Sequence, residues 1–158
     1  MRVPAFVVLA AAGALGCRSG GLPSATTGLS GAARDSAGAL AAFRDNIDAI
    51  HKRDRARYLA SYVQTDRLAR NGVSGLERGW EGWSARRDST FPDTLVAREL
   101  RVVPVAPGVV YGTYRYQVTQ AGSTTAGISE RVLVRTPGGW RIAVSTAFPV
   151  GAPAGAPR

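Results

Sequence analysis

The sequence predicts an α+β domain in which helices come first and a long antiparallel sheet follows. Three observations predict it. Apolar residues recur at helical spacing between Ser36 and Arg53. From Leu95 onward the chain changes to four runs rich in Val, Ile, Thr and Tyr. The junctions between those runs carry Pro107-Gly108, Ala121-Gly122 and Pro137-Gly138-Gly139. A period near 3.6 marks an amphipathic helix, extended β-branched runs mark strands, and Gly/Pro clusters mark the turns between them. Helices and strands kept in separate stretches of chain make an α+β domain rather than an alternating α/β one.

The elements follow in chain order after an export segment. Residues 1–16 carry a thin positive start at Arg2, an uncharged run from Val3 to Leu15 and the small residue Gly16 before Cys17. Those are the parts of a secretory signal. The run is too short for the roughly 20 residues that a membrane-spanning helix needs. Ala14-Leu15-Gly16-Cys17 resembles the lipobox of bacterial lipoprotein signal peptides, with alanine where leucine is usual. The resemblance implies lipidation of Cys17, cleavage after Gly16 and a place in the cell envelope, facing the periplasm or in the outer membrane of a diderm cell. Two or three acyl chains anchor stably where one does not. Cys17 is the only cysteine, so the domain has no disulfide to lean on.

Residues 17–35 then read as the lipidated cysteine and a tether rich in Gly, Ser, Ala and Thr, a composition that predicts a flexible coil. The domain proper is expected over residues 36–148, and 149–158 as a disordered tail rich in Pro, Gly and Ala. Leu40, Phe43, Ile47 and Ile50 give the first helix one buried face, with Asp35 or Ser36 capping its start. Asp54-Arg55 breaks or re-caps it, and a short second helix carries Tyr58, Leu59 and Tyr62. A brief strand near Arg67–Arg70 ends at Asn71-Gly72. Leu76, Trp80 and Trp83 predict a third helix over Gly75–Arg87, weakened by Gly79 and Gly82. The strands Leu95–Val105, Val109–Thr119, Thr124–Thr136 and Gly139–Ala147 form three consecutive hairpins.

This order resembles the nuclear-transport-factor-2-like superfamily, with its SnoaL-like and ketosteroid-isomerase-like members. The residues that carry the likeness are the Lys52-Arg53-Asp54 break, the strand VVYGTYRYQVT around Gly112, and the closing hairpin ERVLVRTPGGWRIAVSTAF. In that hairpin, Gly139-Trp140-Arg141-Ile142 matches the family pattern that enters the last strand. The resemblance implies a cone-shaped, curved antiparallel sheet of about four long strands and a short one, packed on three N-terminal helices. It also implies a pocket between sheet and helices, and pairing of two copies through the sheet.

Candidate chemistry is sparse. The single histidine, His51, stands at the polar end of helix one, where charge or capping explains it. Members of the family often carry a histidine on the last strand four residues after the tryptophan, and here that position is Val144, followed by Ser145. Alternation puts Trp140, Ile142 and Val144 on one face of the last strand, and Ile128, Val132 and Val134 on the matching face of its neighbour. Glu130 shares that parity and is the one candidate general acid/base, with Arg98 or Arg115 in range to pair with it. Trp80, Trp83, Tyr111, Tyr114 and Tyr116, together with Arg98 and Glu130, are the candidate lining of a ligand pocket. Neither a metal-binding cluster nor a cofactor motif is present, so no cofactor is expected.

A net charge of +9, from 20 basic and 11 acidic residues, suggests nucleic acid at first sight. Export and the scatter of 19 arginines along the chain argue against it. The expected function is therefore a membrane-anchored binding module for a small hydrophobic ligand or a protein partner. The rivals are an isomerase, dehydratase or hydrolase working through Glu130, and a structural envelope protein whose basic surface holds an acidic partner.

Overall fold

The computed structural model describes residues 25–85 and 91–150. The export segment, Cys17 and residues 151–158 lie outside them. Among the described residues no helix is long and apolar enough to cross a membrane.

Helix α1 (Ala25–His51) is followed by α2 (Arg55–Ala60), strands β1 (Ala69–Gly72) and β2 (Gly75–Arg78), and α3 (Trp80–Ala85). Four long strands then run as β3 (Thr94–Ala106), β4 (Val109–Gln120), β5 (Ser123–Thr136) and β6 (Gly139–Pro149). They pair in sequence as an antiparallel meander. β1 adds to β6 in parallel and β2 closes that edge, giving the order β2-β1-β6-β5-β4-β3. The sheet curves around the helices, and the predicted α+β class is the observed one.

Helix α1 supplies most of one wall of the core. Ala39, Phe43 and Ile47 are buried along it and meet Val110, Tyr114, Leu133 and Ile142 of the sheet. Burying a side chain of this size contributes about 1.5–3 kcal/mol. Two close approaches need glycine. A Cβ on Gly112 would lie 2.7 Å from Phe43 Cε1, and one on Gly38 would lie 2.4 Å from Trp140 Nε1. Glycine at those points lets α1 lie directly on β4 and on the start of β6. The helix ends as predicted: Arg53 turns left-handed (φ 53°) and Asp54 caps α2, accepting the Arg57 N–H at 3.0 Å. Arg57 then reaches back to Asp45 and Asp48, tying α2 to α1.

Several predicted details differ. Helix α1 begins at Ala25 and not at Ser36, so it takes in part of the segment read as tether. Extending a helix already nucleated costs little per residue, and Asp35 gives the extension a tertiary hold. Its buried carboxylate accepts the Gly108 N–H at 2.8 Å and pairs with Arg135, joining α1 to both long hairpins. The predicted third helix over Gly75–Arg87 divides in two. Gly75–Arg78 pairs with β1 as an edge strand, and among the described residues of that stretch Trp80–Ala85 is the helical part. Gly75 and Gly79 at positive φ bracket that strand, and Leu76 is exposed instead of sharing a face with the tryptophans. The brief strand lies slightly later than predicted and includes Asn71-Gly72.

The largest correction concerns β5. Its buried face is Gly127, Ser129, Arg131 and Leu133, while Ile128, Glu130, Val132 and Val134 point outward. A one-residue change of phase carries every side chain of a strand to the opposite face. On β6 the phase changes within the strand. Val132 pairs with Val144 but Leu133 pairs with Ile142, so Ala143 is bulged out. Ile142 and Ser145 are therefore the buried residues, and Val144 is not.

Candidate functional site

A cavity of about 330 Å³ opens between the helices and the inner face of the sheet. Its walls come from well-separated parts of the chain. Ile50 lies at the end of α1, Tyr58 on α2, Phe91 and Leu95 at the entry to β3, and Tyr114 and Tyr116 on β4. β5 and β6 contribute Ser129, Arg131 and Ala147. Alternation explains the β4 and β5 set: Tyr114, Tyr116 and Val118 share one parity, and Ser129 and Arg131 the matching one across the ladder. The volume is at the small end of the range for ligand cavities, and aromatic walls with a few polar groups are their usual composition.

Arg131 is the most unusual side chain in the cavity. Only 6% of its surface is exposed. Nη1 donates to Ser129 Oγ at 2.5 Å, to Glu130 O at 2.9 Å and to Thr146 O at 3.0 Å, all uncharged acceptors. Its guanidinium carbon lies 5.9 Å from the Phe43 ring centre and 5.8 Å from that of Tyr114. Both distances fall within cation–π range. Among the described residues no carboxylate pairs with it, and its buried Nε has no hydrogen-bond partner. Burial works against the charge, but the oxygens of Tyr62, Tyr114 and Tyr58 favour it, and the pKa ends above the ordinary arginine value. The side chain is a cation held in a nearly dry site. An uncompensated charge in such a place costs several kcal/mol.

Arg55 and Arg70 also line the cavity. Arg55 donates to the Ser84 carbonyl at 3.2 Å, and Arg70 stands 3.8 Å from Glu77. Among the described residues, no Asp, Glu or His lines it. Among the described residues, no three metal-ligating side chains come together either.

Of the residues singled out in the sequence as pocket lining, Tyr114 and Tyr116 line this cavity. Trp83 is buried in the core beside it, with its ring 4.7 Å from Tyr62 and 5.5 Å from the half-buried Trp80. Arg98 is exposed on β3. Glu130 and Tyr111 meet on the outer face of the sheet. There the Tyr111 hydroxyl donates to Glu130 Oε1 at 2.6 Å, and the Thr146 hydroxyl donates to Oε2 at 3.1 Å. The hydrogen bond to Glu130, with some burial, raises the Tyr111 pKa. His51 Nε2 lies 2.8 Å from the Leu95 carbonyl oxygen, so it donates there and the ring serves as a latch between α1 and β3. Cys17 lies outside the described residues. Sequence reasoning missed Arg131, Tyr58 and Phe91. The parity of Arg131 with Leu133, which faces Ile142 across the ladder, was the available signal.

No family model matches the chain, and no curated protein matches it in sequence. Solved structures do match it in shape. A proposed dehydratase of the NTF2-like family from Streptomyces avermitilis superposes with a TM-score of 0.66 at 14% identity, covering 76% of this chain and 99% of that one. A cystatin-like fold protein from Burkholderia xenovorans gives 0.63 at 19% identity, over 76% of this chain and 95% of that one. A nuclear transport factor 2-like superfamily protein from Salmonella enterica gives 0.55 at 18% identity, over 74% and 92%. At these identities the likeness speaks for architecture alone: helices packed on a curved, largely antiparallel sheet, as in the NTF2-like structures.

Proposed function

We propose that the chain is a binding domain that holds a small, largely apolar molecule in the cavity between α1, α2 and the inner face of β4 and β5. The observation that carries this reading is the cavity wall itself: four aromatic rings converge with the aliphatic side chains of Ile50, Leu95 and Val118, and among the described residues no acid or imidazole stands with them. A general acid/base must come within about 2.6–3.2 Å of the proton it moves, directly or through one water. Glu130 sits across the sheet from the cavity, already bonded by Tyr111 and Thr146. His51 is engaged with a backbone carbonyl. Binding therefore accounts for these residues better than an isomerase or dehydratase reaction through Glu130.

In this reading the domain is tethered at the envelope by lipid on Cys17, supported by the short apolar segment and the Ala14-Leu15-Gly16-Cys17 motif. Intact mass of membrane-extracted protein tests the tether, and an unmodified thiol at Cys17 would overturn it. Pairing of two copies through the outer sheet face is supported by the apolar Val103, Val105, Ile128 and Phe148 exposed there. A monomer in sedimentation at micromolar concentration would remove that part of the reading.

The cavity is tested with a small hydrophobic fluorophore on the full chain and on Ala147→Trp, which plugs it. Probe binding that is lost on plugging is the expected outcome. Equal binding by both proteins would show that the cavity is not the site.

A further inference from the structure

We infer that the molecule held in this cavity carries a carboxylate, which pairs with the Arg131 guanidinium. The inference rests on the binding-domain reading and names the chemical class of its ligand.

The argument begins with what Arg131 lacks. A buried cation is ordinarily paired with an anion or fully hydrogen-bonded. Arg131 is 6% exposed, yet its partners are all uncharged: Ser129 Oγ and two backbone carbonyls on Nη1, and the Tyr62 hydroxyl. Its Nε–H, buried and without a partner, belongs to the opposite edge of the guanidinium. An arginine with a purely structural role would be expected to have that edge satisfied as well.

Among the described residues, no acidic side chain stands in the lining beside Arg131. Apolar walls strengthen the field of such a cation and draw an anion inward. The rings of Phe43 and Tyr114 lie within cation–π range of the guanidinium, a contact that steadies the cation and uses none of its N–H groups.

The anion's class follows from the same geometry. A planar fork of N–H groups matches the two oxygens of a carboxylate. The remaining walls, Ile50, Tyr58, Phe91, Leu95 and Tyr116, suit a flat hydrocarbon or aromatic body. A carboxylate brings a single charge to be stripped of water, whereas a phosphate monoester brings nearly two. The cost of moving charge into an apolar site rises steeply with that charge. The buried position of Arg131 therefore favours the monoanion.

The test uses matched probes on the full chain: 2-naphthoate, its neutral isostere 2-naphthamide, and 2-naphthyl phosphate, each followed by calorimetry. The expected result is that naphthoate binds roughly 10- to 100-fold more tightly than naphthamide, as a charge-assisted pair in a dry site should. That preference should vanish in Arg131→Met and in Arg131→Gln, two variants that differ in how they pack. Two results would overturn the carboxylate while leaving the binding domain standing: naphthamide binding as tightly as naphthoate, or naphthyl phosphate binding more tightly than both. Retention of the naphthoate preference without Arg131 would overturn the assignment to this residue. Failure of all three probes to bind, or equal binding by Ala147→Trp, would sink the binding-domain reading and this inference together. The wild-type comparison needs no variant, so the inference stays exposed to failure even if Arg131 variants do not fold.

Discussion

The two faces of β5 put neighbouring charges in opposite worlds. Glu130 points outward, half-buried, with both carboxylate oxygens accepting hydroxyls from Tyr111 and Thr146. Arg131, one residue later, points inward and is almost wholly removed from water, with no anion among the described residues to meet it. Residue type alone would place both on the solvent side. The difference teaches that in a curved sheet wrapped around helices, the ladder decides what is buried, and chemistry must accommodate the decision. The outward charge is satisfied by the protein itself. The inward one is left for a ligand.

Four substitutions break or sharpen this contrast. The largest effect belongs to the inner face: Phe43→Ala removes the ring that α1 seats against Gly112 and should cost about 3–5 kcal/mol in urea unfolding. A loss under about 1 kcal/mol would mean that the inner face does not hold the domain together. Gly112→Ala attacks the same contact from the strand. Its new Cβ would press on the Phe43 ring and should cost about 1–3 kcal/mol by the same assay. Arg131→Met should keep stability within about 1 kcal/mol of the parent, or raise it, because it removes a costly buried charge while sparing the Ser129-to-Thr146 hydrogen bond. A destabilisation of several kcal/mol would recast Arg131 as a structural strut.

The smallest effect is expected on the outer face. Glu130→Gln should shift stability by about 0.5–1 kcal/mol at most, and leave probe binding unchanged, since it loses only charge assistance to two hydroxyls. It should also lower the Tyr111 pKa toward its ordinary value, read as an ultraviolet phenolate titration. The sign is fixed by linkage. Because the folded state raises this pKa, its contribution to stability is complete below about pH 10 and is lost as pH climbs through the raised value. The alkaline decline should therefore start less sharply in Glu130→Gln than in the parent. An unchanged titration would show that the Tyr111–Glu130 bond does not persist in solution.

Much of the fold could be read before the structure, because its signals are local. The 3–4–3 spacing of Leu40, Phe43, Ile47 and Ile50, the Asp54 cap and the glycine turns each specify geometry within a few residues. The site was less accessible because it depends on phase, which is a nonlocal property. Ile128, Val132 and Val134 look like the core face of β5 and are not; the ladder with β4 and β6 buries Ser129 and Arg131 instead. The long reach of α1 toward its N-terminus was hidden for a related reason. Asp35 finds Arg135 and the Gly108 amide far away in the chain, and no periodicity in its own neighbourhood announces that. Trp80 and Trp83 were placed on a helix as expected, yet they support the cavity from behind instead of lining it.

The bulge at Ala143 has a consequence for anyone who aligns this chain with others by counting. From Trp140, four positions forward is Val144, and that count lands on the solvent side of the strand. The residue that occupies the interior, directly across the ladder from Arg131, is Ser145, one step later. The bulge acts as a silent insertion, shifting the reading frame of the strand without adding a loop or a gap. Two chains of this shape can therefore carry the same polar group at the same depth of the cone and appear mismatched in every linear comparison.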